Sequence, residues 1–144
     1  MTPDVNVLVA ASRSDHPHHD GARQWLENAL AAAAQGSPFT LMPMVLASML
    51  RLVTSAKIFV QPTPAADAVA FLDAILAMPG VRLASLKDEW PALRRLCLDK
   101  QLAGNDLPDA WLAAAVLQHS EHLVSFDRDL RKLLGRSQFT QLKP

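Results

Sequence analysis

Cys97 is the only cysteine among 144 residues, which excludes an internal disulfide and any cysteine-based zinc site. Excess charge is also missing. Fourteen basic residues balance 14 acidic ones, so no global field draws the chain to nucleic acid and only a local patch or a dimer groove is left for that role. Half of the residues are hydrophobic, yet no apolar run approaches transmembrane length. No basic stretch followed by an apolar segment and a cleavage site opens the chain, so a cytosolic protein with no membrane association is expected. Repeats and low-complexity tracts are absent apart from a short alanine run at 31–34, an ordinary helix surface. A chain of this length is expected to form one domain, burying about two-thirds of its unfolded surface.

What the chain does have is acid in one place. Residues 104–130 carry five acidic side chains, Asp106, Asp109, Glu121, Asp127 and Asp129, against one basic residue, Arg128. Asp106, Asp109 and Asp127 sit where apolar elements begin or end, so their carboxylates can enter a cleft without crossing a core. Carboxylates gathered this way repel one another unless a cation neutralises them, which points to a divalent metal. Glu121 reads as a surface residue.

Around that stretch, apolar periodicity alternates between strand and helix. Residues 4–11 are ambiguous: the β-branched residues suit a strand, Ala10 and Ala11 suit a helix, and a short strand at 2–4 running straight into a helix is a third reading. Residues 21–34 are an amphipathic helix with Ala22, Trp25, Leu26, Ala29 and Leu30 on one stripe. Residues 39–42 read as a buried strand, and Pro43 opens a helix to Val53, with Val45, Met49 and Leu52 facing one way and Ser48 on or near that side. Thr63 as N-cap and Pro64 as first helical residue precede a helix to Met78, which Pro79-Gly80 stops. Residues 81–86 read as strand, 90–102 and 107–119 as helices, 122–125 as strand, 127–134 as a short helix and 139–142 as a last strand. The alternation argues for a three-layer α/β sandwich with a short, mostly parallel central sheet flanked by helices.

In such sheets, ligands bind beyond the carboxyl ends of the strands. Asp127 falls just past the strand 122–125, and Asp4 does the same if the first strand is 2–4. Each acid also has a plainer reading. Asp106 suits an N-cap, Asp109 stands near a capping-box position, and Asp127 and Asp129 suit the start of the following helix. What favours a site is that acids from distant parts of the chain converge on one sheet edge. The histidines at 16, 18 and 19 flank Pro17 ahead of a helix and read as a polar helix entry rather than a metal site. Trp25, Trp90 and Trp111 are expected to pack in the core or at an interface.

Three segments resemble the PIN-domain ribonucleases, most closely the VapC toxin branch of bacterial type II toxin–antitoxin systems: Asp4-Val-Asn-Val-Leu-Val, Asp109-Ala-Trp-Leu-Ala-Ala, and His122-Leu-Val-Ser-Phe-Asp127-Arg-Asp-Leu. His18-His19 before Ala22-Arg-Gln-Trp-Leu, Leu50-Arg51-Leu-Val-Thr54 and Pro79-Gly80-Val81 agree with the same pattern, in order over almost the whole chain. The resemblance implies a single PIN domain over 1–144 and a toxic endoribonuclease dependent on Mg²⁺ or Mn²⁺. Asp4, Asp109 and Asp127 match three of the family's metal-binding acids, with Asp106 a further candidate ligand. Asn6, Ser48, Ser125 and Asp129 fall at positions that support such a site, and Arg51 and Arg128 are candidates for contact with phosphate. The implied partners are an RNA substrate (tRNA among the candidates), a small VapB-like antitoxin and a second copy of the chain in a homodimer. It also implies that Asp4-Val-Asn leaves a strand and starts a helix.

The chain departs from the family at Ser48, three residues before Arg51, where a glutamate is usual. A hydroxyl can hold a metal-bound water but lacks the carboxylate's charge, so weaker binding, or one metal instead of two, is expected. Ser48 raises one alternative, a PIN-like module that binds RNA or a partner with its chemistry weakened or lost. Asp4-Val-Asn-Val, loosely similar to a strand-end nucleophile, raises another, an aspartate-nucleophile phosphatase. The phosphatase reading lacks the second aspartate two residues after Asp4 and a clear catalytic lysine.

Overall fold

The structure, a computed structural model, describes residues 1–144. Strand β1 (Thr2–Pro3) runs directly into α1 (Val5–Ser12), which settles the ambiguity of the first segment in favour of strand-then-helix. The turn from one to the other is made by Asp4, whose extended backbone and side-chain bond to the Val5 N–H cap the helix. Helix α2 (His19–Ala34), strand β2 (Phe39–Leu41) and helix α3 (Pro43–Val53) follow, then α4 (Ala65–Leu76) and β3 (Val81–Leu83). Helices α5 (Trp90–Lys100) and α6 (Asp106–Gln118) lead to β4 (Leu123–Ser125), a single 3-10 turn at Arg128–Lys132, and β5 (Phe139–Gln141).

Every strand pair is parallel. β1, β4 and β5 form one ladder with β4 in the middle, and β2 pairs with β3. A backbone bond from the Thr40 N–H to the Met1 carbonyl, 2.9 Å, brings β2 alongside β1, so the spatial order is β3-β2-β1-β4-β5. Parallel strands need crossovers, and the helices supply them while covering the faces of the sheet. The core is one continuous cluster of 27 buried apolar residues running from Val7 to Phe139, with Phe39, Leu8, Leu41, Met42 and Met49 among its largest members.

Local chemistry explains the turns. Gly80 sits at φ +79°, and a Cβ there would run into the Ala33 carbonyl, so glycine lets the α4–β3 turn close onto the end of α2. Thr63 does not cap α4. That position is held by Pro64, which makes no side-chain cap bond. The Thr63 hydroxyl instead accepts from Arg13 at 3.0 Å. Arg13 is a buried clasp: it also grips Asp15 and the Gln61 carbonyl, and stacks 3.8 Å over the Phe59 ring. β3 stops at Leu83, three residues short of the expected end.

Glu121 is buried, contrary to expectation. It accepts from the Thr40 hydroxyl at 2.6 Å and from Arg82 at 3.1 Å, and these partners hold its carboxyl below the usual glutamate range against the opposing effect of burial. Trp25 packs on Phe39 as expected, with ring centroids 6.0 Å apart, whereas Trp90 and Trp111 are exposed.

Candidate active site

Asp4 lies at the carboxyl end of β1 beside the carboxyl end of β4, and is 94% buried (6% exposed). Its Oδ1 accepts from the Val5 N–H at 2.7 Å, and its Oδ2 accepts from the Ser125 hydroxyl at 2.7 Å and from Asn6 Nδ2 at 3.4 Å. Asn6 reaches across too, donating to Ser125 Oγ at 2.9 Å and accepting from the Phe126 N–H at 3.2 Å. Ser125 Oγ also receives the Asp127 N–H at 3.0 Å. Asp4, Asn6, Ser125 and Asp127 are therefore one hydrogen-bonded unit built from the two ends of the chain. Burial pushes the Asp4 carboxyl above its ordinary range. The bonds from Ser125 and Val5 oppose that push, and the charge of Asp127 adds to it.

Asp109 enters from the first turn of α6, where a helix N-terminus favours an anion. It is half-buried, and its carboxyl is pushed up to about 6, by burial first and then by the charges of Asp4, Asp127, Asp106 and Asp129. No hydrogen bond pulls it back down. Asp109 thus stands within reach of the charges of four other acids.

Asp106 is not the N-cap of α6. Asn105 holds that place, and Asp106 is the first helical residue, its Oδ2 accepting from the Ala103 N–H at 3.2 Å. Asp127 does cap the 3-10 turn, accepting from the Asp129 N–H at 2.8 Å. Asp129 is exposed and pairs with Lys132 at 3.4 Å. Ser48 is half-buried on α3. Together with Asp4 and Asp109 it lines a cleft of about 680 Å³. Arg51 and Arg128 are exposed, and neither lines that cleft.

Apart from Trp111, which its place two residues past Asp109 sets beside the groove, the composition of the cleft was not anticipated. Its walls are mainly apolar, with Met44, Leu93, Leu107 and Trp111 lining it beside the acids. The signal was faint, because these residues fall on three separate helices and each fits its own helical stripe. His18 was read as a helix-entry residue; it also stacks on Phe126, centroids 4.9 Å apart, next to Asp127.

The donor set is all oxygen, as a hard cation requires. With the side chains as they stand, no three Asp, Glu, His or Cys groups close into a ready-made cage. Mg²⁺ in any case keeps several waters and takes only one or two protein carboxylates. The oxygens of Asp4 and Asp109 in the cleft fit such an ion, while Asp127 does not line the cleft and is tied to Asp4 through Ser125.

Comparison with known proteins places the same pattern in a wider group. The model of the PIN domain matches residues 1–134. Ribonuclease VapC25 of Mycobacterium tuberculosis is 43% identical over 130 residues, covering 90% of this chain and 89% of the relative. Ribonuclease VapC31 of the same species is 42% identical over 136 residues, with the same shares covered. Among solved structures, VapBC2 from Rickettsia felis bound to a DNA fragment from their promoter superposes with a TM-score of 0.66. That superposition covers 99% of this chain and 98% of the other, and at 18% identity it speaks for the fold alone.

Proposed function

The chain belongs to the PIN-domain family, in the branch of the VapC ribonucleases, and we propose that it is a divalent-metal-dependent endoribonuclease acting as the toxin of a toxin–antitoxin pair. The observation that carries this reading is the convergence of Asp4, Asp109 and Asp127 at the carboxyl edge of a parallel sheet, with Asp109 raised to about 6 by its acidic neighbours. The continuous core supports reading residues 1–144 as a single PIN domain.

Asp4 and Asp109 would hold Mg²⁺ or Mn²⁺, with Asp127 and Asp106 supporting it directly or through water. Once bound, the ion supplies water activation and neutralisation of charge on the phosphate oxygens. The chain's own residues supply placement. Ser125 and Asn6 fix the Asp4 carboxylate and tie it to the Asp127 backbone, so the first ligand costs little reorganisation. Asp109 has to lose its proton to bind a cation, which a raised pKa makes pH-dependent near neutrality. Ser48 offers a hydroxyl, not a carboxylate, to the third side of the cleft, which supports one ion rather than two.

The names of the relatives support RNA as the substrate class, and the VapBC2 complex supports a VapB-like antitoxin as partner. A homodimer is part of the same proposal. Purified protein with Mg²⁺ or Mn²⁺ is expected to cut RNA, tRNA included, and Asp4→Asn to lose that activity. Equal cleavage by both would overturn the site. Ser48 motivates a second reading, a PIN-like binding module without chemistry. It requires wild-type protein that binds RNA but shows no thermal shift with Mn²⁺ and no growth arrest on expression.

A further inference from the structure

Nothing that lines the acidic cleft is basic, and the chain as a whole is neutral. A polyanion must therefore gain its electrostatic attraction elsewhere on the surface. Four basic side chains are already committed to carboxylates: Arg13, Arg23, Arg82 and Lys132. Arg131 and Arg136 are in no ion pair, and both open on a second concavity of about 490 Å³. Leu134 and Phe139, both buried, give that concavity a rigid floor, and Gly135 and Gln141 complete its lining.

Its position follows from strand register. Gln141 pairs with Ser125, and Phe139 with Leu123, in the parallel β4–β5 ladder. Residues in register across parallel strands point to the same face, so Gln141 lies on the face that presents the Ser125 hydroxyl, while the arginines come from the segment leading into β5. Ser125 is the residue that holds Asp4. β4 lies between the two sites, so β5 is two strand spacings, about 10 Å, from the end of β1 that carries Asp4. Two guanidinium groups over a fixed floor suit the oxygens of a phosphate, which a planar fork of N–H donors meets bidentately.

We propose that Arg131 and Arg136 form a second anion site that grips a backbone phosphate of the RNA, on the far side of β4 from Asp4. This rests on the ribonuclease reading above. The site binds without regard to base and contributes affinity, while the acids carry the chemistry.

The test compares Arg131→Gln/Arg136→Gln with a control of equal charge change, Arg23→Gln/Lys57→Gln. RNA binding is measured by anisotropy of a labelled single-stranded RNA in the Asp109→Asn background, and cleavage in the otherwise wild-type background. The Arg131/Arg136 variant is expected to bind roughly 10-fold more weakly whatever the sequence, with a salt slope shallower by about 0.7. Its KM rises by a similar factor while kcat holds. An equal loss in the control, or no loss in the double variant, overturns the proposal while leaving the ribonuclease reading intact. If inorganic phosphate shifts the Tm of wild type and not of the double variant while RNA affinities match, the cavity is a free-anion site and the proposal falls. Wild type that neither binds nor cuts RNA overturns the ribonuclease reading itself.

Discussion

Asp4 and Asp109 line one cleft, the first from the end of β1 and the second from the first turn of α6. Both carboxyls are raised by burial, but they are held differently. Asp4 is fastened by Val5, Asn6 and Ser125. Asp109 has only neighbours of its own sign. One side of the cleft is thus a finished hydrogen-bonded scaffold, and the other is an unrelieved charge awaiting a counter-ion. Such asymmetry suits a site that positions one ligand in advance and lets the second respond to the metal. It also separates what each residue does for catalysis from what it does for stability.

The largest expected effect does not distinguish the two sides. Asp4→Ala and Asp109→Ala should each reduce RNA cleavage by on the order of 10²–10³-fold, the usual consequence of removing one electrostatic stabiliser of the transition state. A residue whose loss left cleavage within a few-fold of wild type would have been wrongly placed at the centre.

Metal addition should expose the difference. Saturating Mn²⁺ at about 100 times its Kd stabilises a one-site protein by about 2.7 kcal/mol. Wild type is expected to show that rise in Tm, and Asp109→Ala to lose it, because Asp109 is the acid whose repulsion the ion relieves. An undiminished rise in Asp109→Ala would break the contrast between the two sides.

Without metal, the two alanine variants should move in opposite directions. Asp4→Ala leaves the Val5 N–H uncapped, while Ser125 Oγ can turn to Asn6 Oδ1, 3.3 Å away. The remaining cost is about 1 kcal/mol for the lost cap, a drop of a few degrees in Tm. Asp109→Ala removes a buried, repelled charge and should raise Tm at pH 7.5. The sign of its pH dependence follows from linkage. With the folded pKa at about 6 and the ordinary value at 3.8, the folded state holds more protons than the unfolded state between those values. Stability attributable to Asp109 therefore falls as pH rises through that window, and its penalty is fully present above it. The advantage of Asp109→Ala over wild type should vanish near pH 4, as thermal melts across pH would show.

The two sides also differed in how well the sequence announced them. A carboxylate at the end of a short strand was one of three readings of the Asp4 segment, and the family resemblance selected it and also supplied Ser125, two residues before Asp127. The alternation of elements was likewise legible, because each helix carries its own apolar stripe. What could not be read were contacts between distant residues that periodicity does not encode. Thr40 and Glu121 are 81 positions apart, so nothing local marks Glu121 as buried. Arg13 and Thr63 are 50 apart, and the clasp between them takes the threonine from its expected cap. The apolar lining of the cleft is hidden for the same reason, since α3, α5 and α6 contribute to it separately.

Ser48 offers the finest test of the contrast, because it stands on the α3 wall of the cleft it shares with Asp4 and Asp109. Replacing it by glutamate adds a carboxylate to the side of the site that lacks hydrogen-bond donors. Without metal, Ser48→Glu should raise the Asp109 carboxyl further and lower Tm slightly, since another like charge enters a partly desolvated space. With Mn²⁺ the sign should reverse, and metal affinity should rise by roughly 10-fold, the scale on which one supporting ligand acts. Cleavage at limiting Mn²⁺ rises with it, while cleavage at saturating metal changes little. Calorimetric titration of Mn²⁺ into both proteins measures the affinity directly. If Ser48→Glu binds the ion no better than wild type, the hydroxyl at this position is not what limits the site, and the rigid scaffold around Asp4 sets metal affinity by itself.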